Sequence, residues 1–307
     1  MTGYVLRKLA MLPLVVLAVS LLIFLAVRML PGDPARLLAG PEASAAAVAR
    51  IHDRLGLNQP LPAQYAAFLA HAAGGDLGTS IESRRPVTEE LAVHAPFTLA
   101  LGLAAYLLAV GLGVPAGVLA ATAPGSGWDK LFAATTILTV SVPNFWVGLM
   151  LMELFAVRLQ WLPLMGAGGI AHIVLPAVTL ALLPMGLIAR MTRASMLEVL
   201  AQDYIRTARA KGLGRFAVYF RHALRNALPP IVTIVGLNLG SVVGGAVVTE
   251  SVFSWPGVGR LLVDAVKVRD YPVIQGVTLA AVVAVVVVNL AAEVTIAALD
   301  PRMRRAA

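Results

Sequence analysis

The chain is 307 residues long, 59% hydrophobic and 13% charged, with 24 Lys and Arg against 16 Asp and Glu. Its charged share is about half that of an average soluble domain, which disfavours both a water-soluble fold and a disordered chain, while 27 glycines without a three-residue period exclude collagen. No cysteine is present, so a disulfide framework, a thiolate metal site and a thiol nucleophile are excluded, and a polytopic membrane protein remains.

Six stretches free of Asp, Glu, Lys and Arg are about as long as a helix needs to cross the hydrocarbon core: 9–27, 95–123, 131–152, 170–189, 226–249 and 271–292. The third and sixth extend a few residues further, past Glu153 and Glu293. Barrel strands need only about 10 residues and alternate polar with apolar, so these stretches are helices. The first follows Arg7 and Lys8 but lacks a small-x-small cleavage site, and it reads as a retained helix rather than a signal peptide. After it, Val48, Ile51 and Leu55, then Tyr65, Phe68, Leu69 and Ala72, fall at helical spacing and end at Gly56 and at Gly74 and Gly75. They predict a small helical cap, too small to be an independent domain.

In the second span Gly113 and Gly117 lie four apart, as do Gly236, Gly240 and Gly244 in the fifth, a spacing that lets helix backbones pack closely. Pro115, Pro143, Pro176 and Pro184 interrupt their helices and free carbonyls. Beside Pro143, Asn144 carries an amide that either lines the transport path or bonds to another helix. Glu153 and Glu293 lie near helix ends and read as structural, while Asn289 and Glu293 share a face that serves a helix contact or a gate.

Between the fourth and fifth spans, the polar segment 190–225 carries eight Lys and Arg. Within it, Asp203 can cap a short helix, Arg209 and Lys211 suit its C-terminal end, and Gly212 permits the positive φ that stops it. Tyr204, Ile205 and Ala208 form a partly apolar face that a cleft on a soluble partner can bury. A basic loop that only sets topology or touches anionic lipid remains the alternative. In the segment 250–270, Phe253, Trp255, Pro256 and Gly257 suit an amphipathic element at the membrane interface, with Trp255 as an anchor or part of a receiving surface. With six spans both termini share a side, which holds fourteen Lys and Arg against four acids, so both are expected to be cytoplasmic.

No GxxxxGK[ST] loop, HExxH or GxSxG occurs, and no two of the five histidines have helical metal spacing. The chain is not expected to be an enzyme, and no metal, cofactor or nucleic acid is implied.

The run DYIRTARAKGL (203–213) followed by RHALRNALPP (221–230) closely resembles the EAA-type coupling loop of permeases in binding-protein-dependent ABC importers. Here Arg206, Thr207 and Ala208 occupy the EAA positions, a variant that resembles the peptide and nickel branch. The same branch is echoed by LPGDPARLLAG (30–40), LGLNQPLPAQY (55–65), GDLGTS (75–80), SVPNFW (141–146), LQWLP (159–163), ESVFSWPGVGRLL (250–262), RDYPVIQG (269–276) and LDPRMR (299–304).

The resemblance implies an all-α membrane protein with six transmembrane helices, a type 1 ABC importer permease (MetI-like) fold and an outer helical loop after the first helix. It implies residues 1–93 as the first helix with a periplasmic segment, 94–300 as the permease domain and 301–307 as a cytoplasmic tail. Asp203, Tyr204, Ile205, Arg206, Thr207, Ala208, Arg209, Lys211 and Gly212 would couple to an ATPase; the residues themselves, not the resemblance, make Pro143 and Asn144 the candidates to border the path. Implied partners are a second homologous permease, two ATP-binding subunits that hydrolyse ATP, an extracytoplasmic solute-binding protein and the lipid bilayer of a bacterial-type inner membrane. The implied cargo is a short peptide, glutathione-like tripeptides included; the alternative within the family is a nickel chelate. Outside it stands an ion-coupled secondary transporter or channel, which would show mid-membrane ionisable residues and internal repeats.

Overall fold

A computed structural model describes residues 2–29, 34–40, 43–54 and 56–299. In chain order the helices are α1 (Thr2–Met29), α2 (Pro34–Ala39), α3 (Ala45–Arg54), α4 (Leu61–Ala73), α5 (Val87–Thr122), α6 (Gly127–Ser141) and α7 (Asn144–Leu151). They continue with α8 (Ile170–Leu200), α9 (Asp203–Ala210), α10 (Leu224–Val252), α11 (Val258–Val268) and α12 (Tyr271–Leu299). A π-helical turn, Met152–Arg158, prolongs α7 past Glu153, and another, Ala217–Ala223, leads into α10. Among the described residues no β-strand forms; Thr79 and Pro86 make one isolated antiparallel bridge. Leu55, residues 30–33 and the LDPRMR run beyond Leu299 lie outside the described residues.

Among the described residues four helices, α1, α5, α8 and α12, are long and apolar enough to cross a membrane unaided, and the total is six if each of two bent pairs counts as one span. The third stretch departs from the continuous span expected of it: α6 and the α7 segment meet at 105°. Pro143 is the cause. Its ring bars the helical conformation from Val142, which is extended at φ −94° and ψ 130°, and a new helix starts directly after it. Pro115, Pro176 and Pro184 do not break their helices as the sequence suggested; α5 and α8 run through them, packed against each other along their lengths. The fifth span bends by 59° between Gly240 and Gly244.

The centre of the molecule is the pair α5 and α8, flanked by α10, with α12 on α10 and α1 on α12. Leu101, Ala105, Ala109, Ala177, Leu180, Ala181 and Ile188 fill the seam, and small residues there let the axes close up. At Gly117 an added Cβ would fall 2.6 Å from Thr192 Cβ and 3.0 Å from Arg193 N, and at Gly113 3.0 Å from Met185 O. The other glycine series is less uniform. Gly236 is buried, Gly240 faces the Asn289 amide, and Gly244 faces open space. Asn289 therefore makes a helix contact between α12 and α10.

The expected cap forms at the end of the bundle where α1 stops. Tyr65 of α4 packs edge-on against Phe24 of α1 with ring centroids 5.2 Å apart, and its hydroxyl lies 2.8 Å from Ser20 Oγ. Positive φ at Gly56 (63°) and Gly75 (81°) terminates the cap helices where the sequence placed their ends.

The seam gives the first prediction. Gly117→Val should destabilise the detergent-purified chain by about 1–3 kcal/mol through overpacking. Gly111→Ala, on the same helix but with nothing within 4 Å of the new carbon, should instead raise stability by up to about 1 kcal/mol. Thermal melting of the two variants checks the contrast.

Candidate functional site

The short helix expected after the fourth span is α9, joined to α8 by Ala201 and Gln202. Gln202 holds the N-cap position without a side-chain bond, so Asp203 does not cap the helix but lies in its first turn, where its charge favours the N-terminal dipole. Gly212, at φ +76°, stops the helix as the sequence anticipated.

The orientation of α9 corrects one expectation. Ile205 and Ala208, assigned to an outward apolar face, are turned inward, with Ile205 fully buried beside Val118, Ala121, Met196, Val218 and Ala223. Two buried residues on an eight-residue helix anchor it, because its own hydrogen bonds are too few to hold it in water. Tyr204 stays exposed, and Asn226 Nδ2 donates to its hydroxyl at 2.9 Å, tying α9 to the start of α10. Asp203, Arg206, Thr207, Arg209, Lys211 and Gly212 are all exposed. The ion pair of Arg206 with Asp203, 3.5 Å long with both side chains largely in solvent, adds little. What α9 presents is therefore a polar, net basic surface on a fixed base.

A second feature at this end was not found from sequence. Asp129, in the first turn of α6, meets Arg193 of α8 in a two-pronged pair: Arg193 Nε donates to Oδ1 at 2.6 Å and Nη2 to Oδ2 at 2.7 Å. Gly125 N also donates to Asp129 Oδ2 at 2.9 Å, and Ser126 Oγ accepts from Asp129 N at 3.2 Å as the α6 N-cap. The turn between α5 and α6 is thus locked onto α8 about two turns before that helix ends. The only sequence signal was the Ser-Gly-Trp-Asp capping pattern, which places the carboxylate but not its partner.

At the opposite end two buried carboxylates organise the segment 250–270. Glu250 is fully buried; it accepts from Thr98 Oγ1 of α5 at 2.6 Å and from Gly259 N and Arg260 N at 2.7 and 3.1 Å, so it closes the N-terminus of α11. Asp270, 2% exposed, accepts from Ser80 Oγ, Ile81 N, Glu82 N and Val273 N, which pins the 79–86 hairpin to the start of α12. Trp255 is not an interfacial anchor: it is buried, stacks edge-on with Phe97, and its Nε1 donates to Phe97 O at 2.9 Å.

Pro143 and Asn144 stand at the 105° corner of the third stretch, Pro143 exposed and Asn144 half-buried. They are thus brought together with each other but not with α9, which lies at the end of α8. Glu153 pairs with Arg158 at 3.0 Å on the surface, the local pairing expected of it. Among the described residues no group of three or more His, Asp or Glu is placed to hold a metal ion.

A chain of an inward-facing MetNI methionine ABC transporter superposes with a TM-score of 0.59 at 21% identity, covering 69% of this chain and 96% of that one. A chain from a crystal structure of an amino acid ABC transporter with histidines gives 0.51 at 17% identity, covering 70% and 94%. The architecture is that of an ABC importer permease. Residues 113–305 match the family described as binding-protein-dependent transport system inner membrane component, and residues 1–102 match its N-terminal companion. The chain belongs to this family. The glutathione transport system permease protein GsiC of Salmonella paratyphi A is 45% identical over 304 residues, covering 99% of each chain, and that of Escherichia coli strain K12 is 44% identical over the same length. The protein is accordingly a multi-pass membrane permease that works with other transporter subunits.

Two predictions follow from the α9 end. Ile205→Ala should remove about 2–5 kcal/mol of local packing and speed proteolytic cleavage within 201–214, with the exposed face chemically unchanged. A double-mutant cycle of Asp129→Asn and Arg193→Gln, read by thermal melting, should return a coupling energy of about 1–3 kcal/mol, since either change alone strands a partly buried charge.

Proposed function

We propose that the chain carries short peptides of the glutathione type into the cytoplasm, and that α9 is the element through which partner ATPases drive it. The observation that carries the substrate reading is the 45% identity, across 99% of both chains, to permeases of glutathione transport systems. It favours a peptide over the nickel chelate. ATP hydrolysis belongs to two partner subunits, because no phosphate-cradling loop occurs in this sequence. A second homologous permease and an extracytoplasmic solute-binding protein complete the assembly. The excess of Lys and Arg on the α9 side makes that side cytoplasmic.

In this reading α9 docks through Asp203, Tyr204, Arg206, Thr207, Arg209 and Lys211, with Ile205 and Ala208 as its inner anchor and Gly212 as its stop. The α8 helix is continuous from Ile170 to Leu200 and locked to α6 by the Asp129–Arg193 pair. A displacement of α9 is then transmitted to α5, α6 and α8 together, and from there to the corner at Pro143 and Asn144 that borders the path. In this reading residues 1–93 hold the first helix and its outer segment and 94–300 the permease domain, a boundary that falls inside α5.

The test is reconstitution of the permease with its ATPases and binding protein in vesicles. Charge reversal at Arg209 and Lys211, or Gly212→Pro, should lower ATP-driven uptake of labelled glutathione at least tenfold, while the permease stays folded in the membrane. Uptake and substrate-stimulated hydrolysis unchanged by these variants would refute α9 as the coupling element. Wild-type complex that hydrolyses ATP but moves no glutathione would refute the substrate.

A further inference from the structure

Between the end of α1, helices α3 and α4, the 79–86 hairpin and the start of α12 lies a cavity of about 850 Å³, within the range of about 300–1,000 Å³ that encloses small ligands. Arg28, Arg84, Gln275 and Tyr271 line it together with the apolar Leu25 and Leu61, and none of its described lining residues is an acid. Arg28 is held in place. Its guanidinium sits 3.4 Å from the centre of the Phe24 ring, and its Nε and Nη2 donate to Gln64 Oε1 at 3.1 and 2.7 Å. Those partners are neutral, so no carboxylate among the described residues balances the charge. Arg84 is exposed on the hairpin.

Two cations without an opposing acid among the described lining residues suit an anion with several acceptor oxygens. The apolar wall runs on into the outer face of α1, where Leu22 is 66% and Met29 83% exposed. A free anion would leave that wall bare; an acyl chain would cover it.

We propose that this cavity holds one anionic phospholipid, its phosphate between Arg28 and Arg84 and its upper acyl chain along Leu25 and Leu61. The lipid then braces α1 and its cap against α12.

Native mass spectrometry of the full-length chain, released from nanodiscs of equal parts phosphatidylglycerol and phosphatidylcholine, tests this. One phosphatidylglycerol per chain should be retained in clear preference to phosphatidylcholine. Arg84→Glu, on an exposed loop, should lower that retention roughly tenfold. Circular dichroism of the variant should match the parent. Equal retention of the two lipids, or retention indifferent to Arg84→Glu, would overturn the proposal. So would loss of the bound mass to millimolar inorganic phosphate, which would make the ligand a free anion rather than a lipid.

Discussion

The near-contact of two backbones at Gly113 and Gly117 governs the rest of the bundle. In lipid there is no hydrophobic drive to bring helices together, so the seam between α5 and α8 depends on dispersion contacts that fall away within a fraction of an ångström. Small residues supply the closeness, and the Asp129–Arg193 pair fixes the register at the α9 end. Because only Ala201 and Gln202 separate α8 from α9, the short helix follows directly on the end of α8. Its two buried residues make it an extension of that seam rather than a loose loop.

The opposite end is organised by a different economy. Short helices such as α11 cannot hold their own termini, and water is scarce near the membrane. Glu250 and Asp270 answer this by giving buried carboxylate oxygens to the first N–H groups of α11 and α12. Gly257 and Gly259 keep side chains away from Glu250 so that it can approach. Each carboxylate also reaches a distant segment, Thr98 or the hairpin at Ser80, and in that way the end cap is stitched to the spans.

Much of this was legible in the residues. Charge-free runs mark the spans because the bilayer admits few unpaired charges, and glycine positions mark where helices stop or touch. The packing at Gly117 and the stop at Gly212 are both local consequences of a missing Cβ. Sequence reading missed what depends on long-range partners. Asp129 and Arg193 are 64 positions apart, and nothing in either neighbourhood announces the other. The inward turn of Ile205 was also hidden, since a face of Tyr, Ile and Ala reads the same whether its cover is another protein or the chain's own core. Proline was ambiguous for a related reason: four rings look alike in sequence, but of these only Pro143 is preceded by an extended residue, Val142, and breaks the axis.

The corner at Pro143 bears on the surrounding bilayer. The segments on either side of it have fifteen residues each, about 22 Å of helix against a hydrocarbon layer of about 30 Å. Neither arm spans that layer alone, and at 105° they do not add up to a straight crossing. Leu138, Phe145, Trp146 and Leu149 nevertheless keep about half of their surface exposed there. On that flank the hydrophobic girdle is shallower than elsewhere, and the leaflet must pucker to meet it unless another polypeptide fills the gap.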